Sequence, residues 1–412
     1  MVSHHAYFEA LSTMDPDTPS WNSTLAGLGV LGLVDAVRSD PTLVDRDWTG
    51  VRVLSEQVSS LHEGDPVRRI LGRVVEQLQG NSLGMSEVNA SLFAYGRALD
   101  LDGSWTLAVD VFATVAYIAR SSREHESAME ATTALGGAAR RSGDWDRSAD
   151  SYAEAAYLAE ALGDKSAGLT VRVGTANTQI ARGNLPAAEM ILTEVVEEAN
   201  SFGLDGVEAL ALHGRSSVAH LKGNFADAVS LGHRALEKTT NLTVKDTIMS
   251  DIATSFYALG MHDAARDAYL VVSATARYQW VRWQATINLM ELASVDGEEA
   301  AFENYASQLR NQALDARLRS YFLLFYGQGC ARFDRLDEGN KYVAEAKHFA
   351  ASSKIHQVAF EAEQELAAGP RKAREKTRQA TWAEEIPAHV AGIAAELSQR
   401  REAALSSGDR WR

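Results

Sequence analysis

Apolar residues recur at three- and four-residue steps along most of the chain, and the runs come in pairs split by a glycine. LTVRVGTANTQIAR (169–182) and LPAAEMILTEVVEEA (185–199), on either side of Gly183 and Asn184, form one such pair. The pattern predicts two helices joined by a tight turn. Glycine reaches the left-handed backbone that ends a helix without a Cβ clash, and Asp or Asn beside it caps the next helix. The turn recurs at Gly103, Gly143, Gly183, Gly223 and Gly260, spaced 40, 40, 40 and 37 residues. Two weaker copies begin at Asp296 and Phe333, so seven hairpins are expected. Five or six residues past the turn stands a small residue (Ala108, Ala149, Ala188, Ala228, Ala265, Ala301), predicted to let the paired helices approach closely. Nine past it stands a ring or aliphatic (Phe112, Tyr152, Leu192, Tyr269, Tyr305, Tyr342), with Gly232 the exception. This larger side chain is predicted to fill the gap between neighbouring hairpins.

Residues 1–85 do not keep the period, yet hold helical stretches near 20–38, 47–62 and 66–79, the last opened by Asp65 as cap and Pro66 in the first turn. They are read as an N-terminal helical cap, because an array must cover its end hairpin. A helix-turn-helix reader is the alternative, and the stretch lacks a basic recognition helix. The repeats occupy 86–369. From 370 the charge reverses: residues 371–412 hold nine Lys or Arg against six Asp or Glu, while residues 1–370 hold 31 against 49. The basic run RKAREKTR (371–378) suits docking on an acidic face of its own array or of another copy, so self-association through 371–412 stays open beside a merely solvated helix. The alanine-rich stretch 389–405 is expected to pack on the last hairpin.

The turn glycine, the small residue after it, the aromatic four further on and the Leu135-Gly136 pair ahead of Gly143 resemble the tetratricopeptide repeat motif over 86–351. The units are longer than the family's common length of about 34 and lack the proline that often ends the second helix. In this they are similar to bacterial peptide-pheromone receptors and to the sensor regions of large transcriptional activators. The resemblance implies an all-α fold, an α-solenoid of about seven tetratricopeptide-like hairpins in a right-handed superhelix between an N-terminal cap and a C-terminal helix. It also implies that the first helix of each hairpin lines a concave groove.

Equal offsets then form rows. Six residues before the turn come Gly137, Asn177, Ser217 and Thr254; three before, Arg140, Ile180, His220 and Tyr257; ten before, Thr133, Val173, His213 and Ser250. On the resemblance, Thr133, Arg140, Asn177, His213, Ser217, His220, Thr254 and Tyr257 are the candidate peptide-binding residues. Asn177 falls where several family members place an asparagine that holds a peptide backbone or terminal carboxylate, although the basic neighbours of that clamp are largely missing. The plain alternative is a solvated face. In RYQWVRW (277–283), Trp280, Arg282 and Trp283 form a possible interface, yet Trp280 and Trp283 share a helix face that also suits hairpin packing.

Composition removes other functions. Forty basic against 55 acidic residues oppose direct nucleic-acid binding, which draws on phosphate neutralisation. The most apolar run, 25–34, is half the roughly 20 residues of a membrane span, and residues 1–24 lack the positive charge of a secretory signal. With the single cysteine, Cys330, the cytoplasm is the expected compartment. Gly27, Gly29 and Gly32 spell GxGxxG, but no strand precedes them and they lie in a helical stretch, so close helix packing is expected rather than a dinucleotide. His4 and His5 are read as a fraying or surface pair. His213 and His220 share a helix face, and two histidines do not complete a zinc site. Cys330 is expected to be buried and inert. No catalytic constellation appears, so no enzyme activity, cofactor or metal is expected. The sequence reads as a scaffold or adaptor that grips a peptide or a flexible segment of another protein, one with basic residues to match the acidic surface. The alternative is a regulatory sensor whose superhelix changes conformation on binding a peptide or small ligand.

Overall fold

The computed structural model describes residues 3–40, 43, 49–79, 84–312, 314–353, 355–368 and 386–407. The basic run 371–378 lies outside them. Among the described residues there are twenty helices and no strand. Four lead the chain: α1 (His5–Thr13), α2 (Pro19–Ser39), α3 (Thr49–Ser60) and α4 (Pro66–Gln79). Seven pairs follow: α5 (Met85–Asp102) and α6 (Trp105–Ser121), α7 (His125–Ser142) and α8 (Trp145–Leu162), α9 (Lys165–Ala181) and α10 (Leu185–Ser201), α11 (Asp205–Leu221) and α12 (Phe225–Lys238), α13 (Leu242–Ala258) and α14 (His262–Thr275), α15 (Gln279–Val295) and α16 (Glu299–Arg310), α17 (Ala316–Arg332) and α18 (Leu336–Ser352). Two more close the chain, α19 (His356–Ala368) and α20 (Ala388–Ser407). None is long and apolar enough to cross a membrane.

The turns carry a finer rhythm than the sequence suggests. Left-handed residues stand at Gly103, Arg123, Gly143, Gly163, Gly183, Gly203 and Gly223, one every 20 positions, so the turns between hairpins copy the turns within them. From Gly223 the interval becomes 37, through Gly260 and Gly297 to Asp334. The two weak copies therefore turn at Gly297 and Asp334, not at Asp296 and Phe333; Phe333 has φ −91° and Asp334 +62°. A short polar side chain makes Asp one of the few residues that tolerate this backbone. The period shortens because α12 and α14 have 14 residues each where α8 has 18, and both leave through extended backbone at Thr239 and Ala276.

The chain packs as two compact units, residues 1–191 and 192–412. In the first, α4 packs on α5, α2 on α4 and α1 on α6, and one core joins Tyr7 to Ala139. The GxGxxG string sits inside α2, where a Cβ on Gly27 would meet the Tyr95 hydroxyl at 2.0 Å and one on Gly29 would meet Leu54 at 2.7 Å. These two glycines serve helix packing. His4 is neither frayed nor on the surface: its Nδ1 lies 2.5 Å from Asp110 Oδ1 on α6 and its Nε2 3.4 Å from Asp35 Oδ2 on α2.

The small position holds for Ala108, Ala188, Ala228 and Ala265, all fully buried. At Gly143 it is Ser148 and not Ala149, with its hydroxyl satisfied 2.9 Å from Thr178 Oγ1; at Gly297 it is Phe302. In the second unit the missing large residue at Gly232 is replaced from the next helix, since Ile252 of α13 fills the place where a side chain would stand. The C-terminal α20 does not pack on the last hairpin. It lies on α14 and α12, with Val390, Ala394 and Leu397 buried in their core.

Candidate functional site

In the first unit α9 packs beside α7, and both present candidate residues. Thr133 donates to the Met129 carbonyl at 2.8 Å. Arg141 forms two hydrogen bonds to Asp100 Oδ1 of α5, that from Nε at 3.1 Å. Its neighbour Arg140 has no such partner. Burial lowers the pKa of the Arg140 guanidinium, the Tyr152 hydroxyl offsets part of this, Arg141 adds like-charge repulsion, and Nε meets no acceptor. Asn177, half-buried on α9, makes no side-chain hydrogen bond among the described residues. Two groups able to bind a backbone or a carboxylate thus stand on adjacent first helices, and one of them, Arg140, lacks an acceptor at Nε.

In the second unit the candidates join a ladder that bridges successive first helices. His213 Nε2 lies 2.7 Å from Asp251 Oδ2, and His220 Nδ1 lies 3.0 Å from Ser255 Oγ, so both histidines of α11 reach α13. Burial lowers the His220 pKa, with Asp251 pulling the other way, and the Phe225 ring packs edge-on at 5.1 Å. Ser217 donates to the His213 carbonyl. Thr254 donates to the Ser250 carbonyl at 3.0 Å and lies 2.9 Å from the Tyr269 hydroxyl. Tyr257 reaches α15, donating to Glu291 Oε1 at 3.3 Å. From α17, Arg332 Nη1 donates to Ser294 Oγ at 2.7 Å.

Glu291 lies on this face beside the Tyr257 hydroxyl. Burial pushes its carboxyl above the usual range, against the pull of Arg332 and the Tyr257 hydroxyl. Burial and the Glu291 charge together push the Tyr257 phenol up. Val173 and Ser250, from the row ten before the turn, are buried and present little surface.

The aromatic cluster is half-buried. Trp280 stacks on Tyr278 at 6.1 Å, both tryptophans pack against core residues, and Arg282 Nη2 donates to Gln279 Oε1 at 2.6 Å.

No family model matches the chain, and no curated protein matches it. Among solved structures, the Cut9–Hcn1 hetero-tetramer of APC/C is similar over 97% of this chain and 72% of that one, at 11% identity and TM-score 0.51. The apo quorum sensor NprR from B. thuringiensis is similar over 84% and 92%, at 14% identity and TM-score 0.48. The Rap conjugation regulator of plasmid pLS20, in complex with the Phr* peptide, is similar over 87% and 98%, at 11% identity and TM-score 0.44. The first of these likenesses carries the fold, and at such identity the fold alone. The chain has a tetratricopeptide-type helical repeat fold.

Within the second unit, the position six before each turn is held by Ser217, Thr254, Glu291 and Gln328, all half-buried. Glu291 and Gln328 lie outside the rows expected from sequence, and they join the series because the turns fall at Gly297 and Asp334. Asp251 and Ser255 were missed for another reason: they lie off the chosen rows and are recruited by histidines 38 and 35 residues away.

Proposed function

We propose that the chain is a non-enzymatic scaffold of the lengthened-unit tetratricopeptide family that binds an extended peptide, or a flexible segment of a partner protein, on its first-helix faces. The observation that carries this is Arg140, whose buried Nε meets no acceptor, beside the half-buried Asn177 amide on the adjacent first helix. A peptide carbonyl or carboxylate supplies the acceptor that Arg140 Nε lacks, where an unmade buried bond is the costly state, and Asn177 offers a further polar contact. In the same reading residues 1–85 cap the array, 86–369 form it, 370–412 are a charged tail, and the protein works in the cytoplasm. The acidic excess of residues 1–370 favours a partner with basic residues elsewhere along the segment.

The test is capture from native extract by wild type and by Asn177→Asp, Arg140→Ala and Tyr257→Ala variants, with mass spectrometry. A partner enriched by wild type and lost with Asn177→Asp or Arg140→Ala supports the site. The same partner retained by all three removes it.

The ladder favours a second reading, a ligand-responsive sensor. Successive first helices are bridged by a few side-chain contacts, such as His220 with Ser255 and Tyr257 with Glu291, for which a ligand would compete. A change in radius of gyration on adding the captured partner's peptide separates sensor from rigid adaptor.

A further inference from the structure

Helix α14 is covered almost all round: only Asp263 and Ala274 of its 14 residues are exposed. In α8, another second helix, ten of 18 are exposed. The difference is α20. Val390, Ala394 and Leu397, at i, i+4 and i+7, form one stripe of α20 and are buried in the core of α12 to α15. Two polar contacts fix the register. His233 Nε2 of α12 lies 3.1 Å from Glu396 Oε2, and the Ser398 hydroxyl donates to Asp267 Oδ2 of α14 at 2.7 Å. These contacts span 163 and 131 residues, and α20 ignores the last hairpin in favour of this distant pair.

We propose that the outer face of α12 and α14 is a helix-docking surface, that α20 is its occupant in cis, and that on release of α20 it binds an amphipathic helix of a partner protein. The seated helix is the template for that partner. It needs apolar residues at i, i+4 and i+7, a carboxylate at i+6 for His233 and a hydroxyl at i+8 for Asp267. The stripe of α20 is short, with three buried residues beside the partly buried Ile393, and α20 has the further advantage of belonging to the same chain as its seat. A tethered helix competes at an effective concentration near the millimolar range. A second copy brings the same short stripe without the tether and loses at micromolar concentration. A partner helix with larger side chains on the stripe wins. This surface is separate from the first-helix faces and does not depend on the function proposed for them.

The probe is a fluorescein-labelled synthetic peptide of residues 386–407, added to the full chain. Leu397→Asp unseats α20 and leaves α12 and α14 unchanged, which hydrogen exchange of α20 amides reports. We expect the peptide to bind the Leu397→Asp chain at least tenfold more tightly than wild type, and the further change His233→Glu to reverse that gain by facing Glu396 with a carboxylate. If Leu397→Asp loses its cooperative thermal transition, the milder pair Val390→Ala and Ser398→Ala gives the same order of affinities over a smaller range. Equal binding to wild type and variant, no binding to a variant whose α20 exchanges freely, or an α20 that stays protected in it overturns the proposal. So does a wild-type dimer at micromolar concentration that Leu397→Asp abolishes, because the occupant is then a second copy.

Discussion

The ring of Tyr152 fills the space a side chain on Gly174 would need: a Cβ there would lie 2.3 Å from two ring carbons and 2.8 Å from the hydroxyl. The same ring lies 3.1 Å from a Cβ built on Gly136, so one tyrosine of α8 seats against the first helix of its own hairpin and of the next. Gly174→Ala sets two effects against each other. Alanine in a helix interior gains roughly 1 kcal/mol over glycine. Forcing a methyl group into a filled site costs about 1–3 kcal/mol, and here backbone or ring must move by more than 1 Å, so the loss wins. Urea denaturation should show Gly174→Ala destabilised, and the double variant with Tyr152→Ala less so than the sum of the singles. Gly32→Ala in α2, with nothing within 4 Å of its Cβ, is the control and should stabilise.

The left-handed turns give a second test. Arg123 and Asp334 hold φ of 59° and 62°, where a Cβ costs roughly 1–2 kcal/mol. Arg123→Gly should therefore raise stability by about 0.5–1 kcal/mol after the entropy glycine adds to the unfolded chain. Gly143→Ala, at φ 85° with nothing within 4 Å, should lower it by about 1 kcal/mol through backbone strain alone. Equal midpoints for Gly143→Ala and wild type in urea would sink the assignment.

How much was readable follows from which interactions are local. A helix, its turn glycine and the small residue five positions on lie within one turn or two of each other, so their spacing announced the repeat. The change of period was harder, because Asp334 does the work of a glycine and leaves no glycine to align. Ser148 was passed over for Ala149 because a buried serine is acceptable only with a partner, and Thr178 is 30 residues away. The site shows the same split. Row membership put Asn177 and Tyr257 on first helices, but Glu291 as the partner of Tyr257 depends on packing between hairpins. The seat of α20 depends on contacts more than 130 residues apart, which no local pattern encodes.

Glu291 yields a pH-dependent prediction. Its carboxyl is raised by burial above the ordinary 4.5, so its folded pKa exceeds the unfolded one. The contribution is favourable below the unfolded value and is lost as pH rises through the folded one. At neutral pH the ionised form therefore costs stability. Glu291→Gln keeps an acceptor for Tyr257 and removes that charge, so its thermal midpoint should exceed wild type at pH 7 and converge with it at pH 4. A variant less stable than wild type at pH 7 would show that Arg332 outweighs burial.

His4 gives a dependence of the same sign from an entirely different contact. Burial works against its charge, but the Asp110 and Asp35 carboxylates outweigh it and raise the imidazole above 6.5. Arg38 sits 3.7 Å from Asp35, and this corner also holds the hydroxyls of Tyr7 on α1 and Tyr95 on α5, 3.0 Å apart and pushed up by burial. Within this cluster the imidazolium is the group that faces both acids. Below the unfolded value of about 6.5 the stabilisation is fully present; as pH rises through the raised folded value, the proton leaves and two carboxylates confront a neutral ring. The consequence is local, because His4 holds α1 on α2 and α6. Hydrogen exchange of residues 5–13, corrected for intrinsic rates, should slow at pH 6 relative to pH 9 in wild type. In His4→Gln it should be fast and flat across the same range. Protection of α1 that is independent of pH in wild type would mean that Tyr7, fully buried in the same core, holds the helix without the histidine.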